Sequence, residues 1–264
     1  MLFLMVFVGG LSGFLSGLLG IGGGIVMVPL LFWLLPYWGL SQDVAVPVAL
    51  GTSLASAACF TFSGALGHWK RGVIDWRRVP WLIMGGVLGA MTGSTLATWL
   101  GGVVVKKAFA FLLLFAFYRM AFSPLSKKEG TPARERRGLP FFVIGLATGL
   151  VGSFFGVGGG IVAIPFMVLV YSFPTLEAVA TSSAIIPAIA GAGALAYVFH
   201  GWGKAGLPPY SLGYVSLLLW GLLVAGGLLA SQGGVWVGHK VGGTSLRRAF
   251  SVLLLFMAIK LFIG

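Results

Sequence analysis

At 264 residues, 58% hydrophobic and only 8% charged, with a mean hydropathy of +1.04, the chain cannot cover its own surface in water. Soluble domains carry about 25% charged residues, so lipid is the solvent that fits. The net charge of +12 sits in short Lys/Arg clusters between apolar runs, a pattern of membrane topology and contact with anionic lipid rather than of nucleic-acid binding.

In chain order, apolar segments are expected at residues 1–20, 24–36, 44–67, 79–100 and 103–122. The first lacks a basic n-region and a small-residue cleavage site, so it reads as a segment of the mature chain rather than a signal peptide. A polar, charged stretch follows, Ser123–Gly138 (SPLSKKEGTPARERRG). Five further apolar segments are expected at 139–156, 160–173, 177–200, 211–232 and 246–263. The second segment of each set is too short to span a bilayer easily, and the sequence leaves open whether it spans or re-enters. The organisation expected is a first transmembrane repeat over 1–122, a cytoplasmic linker over 123–138 and a second transmembrane repeat over 139–264.

The repeat rests on aligned motifs. GFLSGLLGIGGGIVMVP (Gly13–Pro29) aligns without a gap with GLVGSFFGVGGGIVAIP (Gly149–Pro165), identical at eight of 17 positions. ALGTS (Ala49–Ser53) matches AVATS (Ala178–Ser182), and GAL at Gly64 matches GAL at Gly193 in the same register. KKAF (Lys106–Phe109) resembles RRAF (Arg247–Phe250). Charge then sets orientation. With the linker in the cytoplasm and an odd number of crossings per half, the basic residues of the linker, the 70–78 turn (Lys70, Arg71, Arg77, Arg78) and the 240–248 stretch (Lys240, Arg247, Arg248) all lie inside. Only Lys106, Lys107 and Lys204 then lie outside. An even number weakens this asymmetry from 12 inside against three outside to ten against five, so an inverted-topology duplication is expected.

GIGGGIVMVP and GVGGGIVAIP carry the functional argument. A helix broken inside hydrocarbon leaves N–H groups unpaired at several kcal/mol each, and such breaks survive where they are buried in protein or line a polar cavity. Gly22, Gly23 and Gly24, and Gly158, Gly159 and Gly160, allow positive φ and close ligand approach. The helix after each cluster offers free N–H groups and the positive end of its dipole. Inverted repeats would bring two such helix starts together near the midplane, where transporters place their sites. Tight helix packing alone would need fewer than three consecutive glycines. The recurring pairs Thr52–Ser53 and Thr181–Ser182 are candidate hydroxyl donors to an oxyanion, with Ser183 adjacent. The competing reading is that they bond their own helix or a neighbour. Pro29, Pro165, Pro47 and Pro187 are read as kinks.

The five acidic residues, Asp43, Asp75, Glu129, Glu135 and Glu177, all fall at segment ends or in the linker, leaving no mid-membrane carboxylate. The histidines His68, His200 and His239 are also near segment ends, and no His/Glu spacing suits a metal. With one cysteine, Cys59, neither an intrachain disulfide nor a cysteine metal cluster is possible. No catalytic set is suggested, so the chain is not read as an enzyme, and no cofactor or metal is expected.

Together the paired Gly clusters, the T-S pairs and the KKAF/RRAF ends resemble the sulfite exporter TauE/SafE family of membrane transporters, over nearly the whole chain. The resemblance implies a multi-pass protein of the prokaryotic cytoplasmic membrane that moves small sulfur-containing anions, sulfite or organosulfonates, with some relatives exporting and others taking up. It implies that Gly22–Gly24, Gly158–Gly160, Thr52, Ser53, Thr181 and Ser182 form the substrate site. Partners expected are the anion and the lipid bilayer, with a homodimer among the oligomeric states the sequence permits. An anion channel, a carrier of small carboxylates, and a scaffold subunit in which the glycines serve packing only are the competing readings.

Overall fold

The computed structural model describes residues 2–122, 138–240 and Ile259. In chain order the elements are α1 (Leu2–Leu19), α2 (Gly24–Tyr37), α3 (Gln42–Trp69), α4 (Val79–Leu100), α5 (Gly102–Phe122), α6 (Leu139–Phe154), α7 (Gly160–Leu169), α8 (Thr175–Gly201), β1 (Ser211–Leu212), β2 (Val215–Ser216) and α9 (Leu217–Gly238). The expected linker, apart from Gly138, lies outside the described residues, as does the expected segment 246–263 apart from Ile259. RRAF and the basic residues Lys127, Lys128, Arg134, Arg136, Arg137, Arg247 and Arg248 therefore lie outside them too.

The protein is an all-α polytopic membrane protein. Five described helices, α1, α3, α4, α8 and α9, are long and apolar enough to cross a membrane. Burial runs opposite to that of a soluble domain. Phe3, Trp99 and Leu229 are among the most exposed side chains, while Ser12, Thr52, Ser53, Ser94, Thr181 and Ser182 are fully buried. With lipid outside, large apolar side chains gain nothing by turning inward. Helix association then depends on close backbone approach through small residues.

The glycines supply that approach in two matching ladders. Gly9, Gly13 and Gly17 of α1 face Leu223, Gly227 and Ser231 of α9, each one turn after the last. Gly85, Gly89 and Gly93 of α4 face Phe142, Leu146 and Leu150 of α6 in the same manner. At most of these positions an added Cβ would overlap the carbonyl of the facing helix. Each ladder joins one helix from either half and runs parallel, residue numbers rising together. Between the ladders, α3 and α8 cross antiparallel, with Gly51 against Tyr197 and Gly193 against Leu54. The two halves therefore interlock reciprocally: α1 on α9 as α6 on α4, and α3 on α9 as α8 on α4.

Two helices differ from the sequence expectation. The segment expected at 211–232 begins later, as α9 at Leu217, because Ser211–Leu212 first pairs antiparallel with Val215–Ser216. Ser216 then caps α9, its hydroxyl accepting from Leu219 N–H at 3.5 Å. The segment expected to run to 173 stops as α7 at Leu169. Ser172 takes a positive φ of 54°, and the Phe173 N–H closes the turn on the Met167 carbonyl at 3.1 Å. The remaining helices extend or shorten by a few residues at their ends, where fraying and capping decide.

The ladders predict opposite outcomes for two Gly→Ala changes. Gly149→Ala drives a Cβ into the Gly86 carbonyl and should lower stability by about 1–3 kcal/mol, as overpacking does. Gly221→Ala meets nothing within 4 Å and should be neutral or stabilising by up to about 1 kcal/mol, the helix-propensity gain. Thermal unfolding in detergent, followed by tryptophan fluorescence, checks both.

Candidate functional site

The site is built where α1 and α6 break. After Leu19, Gly20, Gly22 and Gly23 take φ of 64°, 95° and 77°. After Phe154, the corresponding Gly156, Gly158 and Gly159 take 69°, 89° and 100°. Side-chain-bearing residues reach this region only at a cost, so the GxGGG spelling follows from the turn it must make. Gly23 and Gly159 are the N-caps of α2 and α7, both left-handed and neither offering a side-chain cap.

Hydrogen bonding at these helix starts is incomplete. Val26 and Met27 N–H reach the Gly23 carbonyl at 3.2 and 3.4 Å, and Val162 and Ala163 N–H reach the Gly159 carbonyl at 2.9 and 3.1 Å. Among the described residues, the N–H groups of Gly23, Gly24 and Ile25, and of Gly159, Gly160 and Ile161, have no acceptor. Each triad is the positive end of a helix, turned toward the middle of the structure. α2 starts beside Ser53, in the first half of α3, and returns to the end at which α3 begins.

The two breaks abut. A Cβ on Gly22 would lie 2.7 Å from the Val157 carbonyl oxygen and 3.7 Å from Gly158 Cα. A Cβ on Gly24 would overlap the Gly156 carbonyl, and one on Gly160 the Gly20 carbonyl. The serines of the T-S pairs stitch this contact. Ser53 Oγ donates to the Gly156 carbonyl at 2.7 Å, and Ser182 Oγ donates to the Gly20 carbonyl at 2.8 Å. The threonines, also fully buried, point to other partners from the same helices. Thr52 Oγ1 accepts from Ser216 N–H at 3.0 Å, and Thr181 Oγ1 accepts from Asp75 N–H at 3.2 Å. The structure thus brings Gly22–Gly24, Gly158–Gly160, Ser53 and Ser182 together at the centre. It sets Thr52 and Thr181 against the turns that lead into α9 and α4. Where sequence reasoning expected all four hydroxyls to point at an anion, the two serine protons are engaged by main-chain carbonyls of the opposite half.

Other hydroxyls, which the sequence reading did not single out or left aside, are unengaged. Ser12, Ser16, Thr148, Ser153 and Ser183 are fully buried, and their oxygens have no hydrogen-bond partner. Other helical hydroxyls find acceptors, either on their own helix, as Ser56 does at Thr52 O (2.9 Å) and Thr61 at Ala57 O (2.6 Å), or on a neighbouring one, as Ser94 does at Gly193 O (3.2 Å) and Ser231 at Phe60 O (2.7 Å). Ser12 packs under Gly23, Thr148 under Gly159, and the Ser183 hydroxyl stands against Gly20. A signal for the first two was present in the repeat: Ser12 and Thr148 occupy equivalent positions one residue before the aligned glycine window.

The centre is free of formal charge among the described residues. Asp43 and Glu177 sit in the first turns of α3 and α8, Asp75 lies in the turn before α4, and no group of three or more His, Cys, Asp or Glu is placed to hold a metal. Lys70, Arg71, Arg77, Arg78 and Lys240 gather at one end, where His239 Nε2 lies 3.4 Å from His68 Nδ1. Lys204 and Asp43 lie at the other. Chemically, the centre can offer N–H and O–H donors from both halves to an anion, without a buried cation.

Comparison with known proteins places these features in a family. The model of the family described as Sulfite exporter TauE/SafE matches residues 5–261. A protein of Haemophilus influenzae named "probable membrane transporter protein" is 30% identical over 98% of this chain and 97% of its own length. The probable membrane transporter protein MJ0441 of Methanocaldococcus jannaschii is 29% identical over 97% of this chain and 93% of its own length. The probable membrane transporter protein YunE of Bacillus subtilis is 26% identical over 99% of this chain and 95% of its own. No solved structure matches significantly.

The serine stitches generate a stability prediction. Ser53→Ala or Ser182→Ala leaves a buried carbonyl without its donor and should cost about 1–3 kcal/mol. The two losses should not add, since both bonds close the same contact. Melting temperatures of the two single variants and the double variant measure this.

Proposed function

Because the chain belongs to the sulfite exporter TauE/SafE family of membrane transporters, we propose that it carries a small sulfur-containing anion, sulfite or an organosulfonate, out across a prokaryotic cytoplasmic membrane, and that the anion binds between the two glycine breaks. The observation that carries this reading is the pairing of two uncapped helix starts with buried hydroxyls that have no partner. Gly23, Gly24, Ile25, Gly159, Gly160 and Ile161 present main-chain donors, the Ser183 hydroxyl stands unpartnered against Gly20, and Ser12 and Thr148, whose hydroxyls also have no partner, pack under Gly23 and Gly159 through their main chain, the Ser12 Cβ and the Thr148 methyl. Buried polar groups left unpaired cost free energy, and a ligand that accepts from all of them recovers it. An oxyanion suits such a set, being multiply accepting and stabilised by helix N-termini.

In this reading Gly22–Gly24 and Gly158–Gly160 touch the substrate. Ser53 and Ser182 hold the two breaks in register, and Thr52 and Thr181 fasten the flanking turns. The halves 1–122 and 139–264 act as inverted repeats about an axis in the membrane plane. The antiparallel crossing of the matching helices α3 and α8 favours that geometry, and the end bearing Lys70, Arg71, Arg77, Arg78 and Lys240 faces the cytoplasm.

A thermal-shift series on the detergent-purified protein tests the proposal, comparing sulfite, thiosulfate, sulfate, sulfoacetate, taurine and small carboxylates at matched ionic strength. A ligand specific to the folded state should stabilise by about 2.7 kcal/mol at 100 times its Kd. Thr148→Val and Ser12→Ala remove unpartnered hydroxyls, so the anion-free protein should keep or gain stability while the sulfite-dependent shift falls. A shift that survives both substitutions would place the anion elsewhere. A shift given only by carboxylates would remove sulfur from the assignment.

A further inference from the structure

The two ends of the site are built on one plan with different residues. On one side Asp75 N–H donates to Thr181, and on the other Ser216 N–H donates to Thr52. This reciprocity makes Ser216 the counterpart of Asp75 and, three residues on, Leu219 the counterpart of Arg78. Glu177 precedes Thr181 by the same interval as Val48 precedes Thr52. One end therefore holds Asp75, Arg78 and Glu177 where the other holds Ser216, Leu219 and Val48, which are nearly fully buried.

The charged end is tightly organised. Arg78 forms an ion pair with Asp75, and the two side chains are only 13% and 11% exposed. The same guanidinium lies 4.6 Å from the ring centre of Phe173 and 5.2 Å from that of Phe141. The Asp75 carboxylate also accepts from Arg77 N–H at 3.1 Å. Glu177, half-buried in the first turn of α8, interacts electrostatically with both Asp75 and Arg78. One arginine thus ties the α3–α4 turn to the first turn of α6 and to the α7–α8 connection, both of the opposite half.

Packing does not require this charge, since the counterpart end fills the same place with Leu219 and Val48. A partly buried ion pair is no more stabilising than a well-packed apolar contact. It differs in what happens on opening. Water solvates Arg78, Asp75 and Glu177 once they separate, whereas separating Leu219 and Val48 from their neighbours exposes apolar surface. The charged end is therefore the easier of the two to open. We infer that Asp75, Arg78 and Glu177 form a gate over the Thr181–Ser182 side of the site, closed while Arg78 is paired and opened by hydration of the trio. This rests on the reading that the glycine breaks are the transport site.

Thiol accessibility tests the gate. Cys59→Ala removes the native thiol, and Ser183→Cys places a reporter at the centre beside Gly20. Lys70→Cys, made separately on the exposed turn, shows which orientation of sealed vesicles presents the charged end to a membrane-impermeant maleimide. Asp75→Asn with Glu177→Gln leaves Arg78 without a carboxylate and should speed labelling of the central reporter thiol from that face by about tenfold. Asp75→Ser with Arg78→Leu installs the residues of the opposite end and should slow it by a similar factor, a change of opposite sign that general loosening would not produce. Equal or same-signed changes in the two variants, or acceleration from the opposite face, would overturn the gate. The sulfite thermal shift, read on the same gate substitutions in proteins that keep Ser183, separates the two claims. An intact shift with unchanged labelling rejects the gate alone. A shift absent throughout, with labelling changed as expected, rejects the site reading alone.

Discussion

A main-chain N–H in hydrocarbon has no water to turn to, and the architecture around residues 20–25 and 156–161 follows from that constraint. Each break exposes a helix start, and a lone break facing lipid would be prohibitively costly. Here the two are pressed together, carbonyl against glycine, with Ser53 and Ser182 tying each break to the other half. Among the described residues, main-chain N–H groups at the two helix starts and a set of buried hydroxyls are left without partners, and free N–H groups at a helix start are what an anion binds.

The rest of the fold keeps that contact in place. The α1–α9 and α4–α6 ladders bring backbones together so closely that a methyl group on most ladder glycines would meet a carbonyl. Since both ladders cross between halves, neither half can move as a body without sliding one glycine seam over another.

Much of the architecture was legible in the sequence because it is spelled in glycine. GIGGGIVMVP and GVGGGIVAIP announce left-handed N-caps and helices starting at Gly24 and Gly160, since few other residues tolerate the φ at Gly22 and Gly23 or Gly158 and Gly159. Long apolar helices such as α3 and α8 were legible from hydropathy to within a few residues. The destinations of the hydroxyls were not. Ser53 finds its acceptor 103 residues away, and no local pattern encodes a partner at that distance. Ser12 and Thr148 were single polar positions in glycine-rich helices, readable only by aligning the two halves one residue further. The late start of α9 was hidden because strands of two residues, Ser211–Leu212 and Val215–Ser216, are too short to show an alternating pattern.

Anomalous diffraction from crystals soaked in selenite, the heavier congener of sulfite, would locate the anion directly. The account predicts a selenium peak between the α2 and α7 starts, within hydrogen-bonding reach of the Gly24 and Gly160 N–H groups and of the Ser12 and Thr148 hydroxyls. A peak confined to the basic end, beside Lys70, Arg71 and Lys240, with nothing between the glycine breaks, would contradict it.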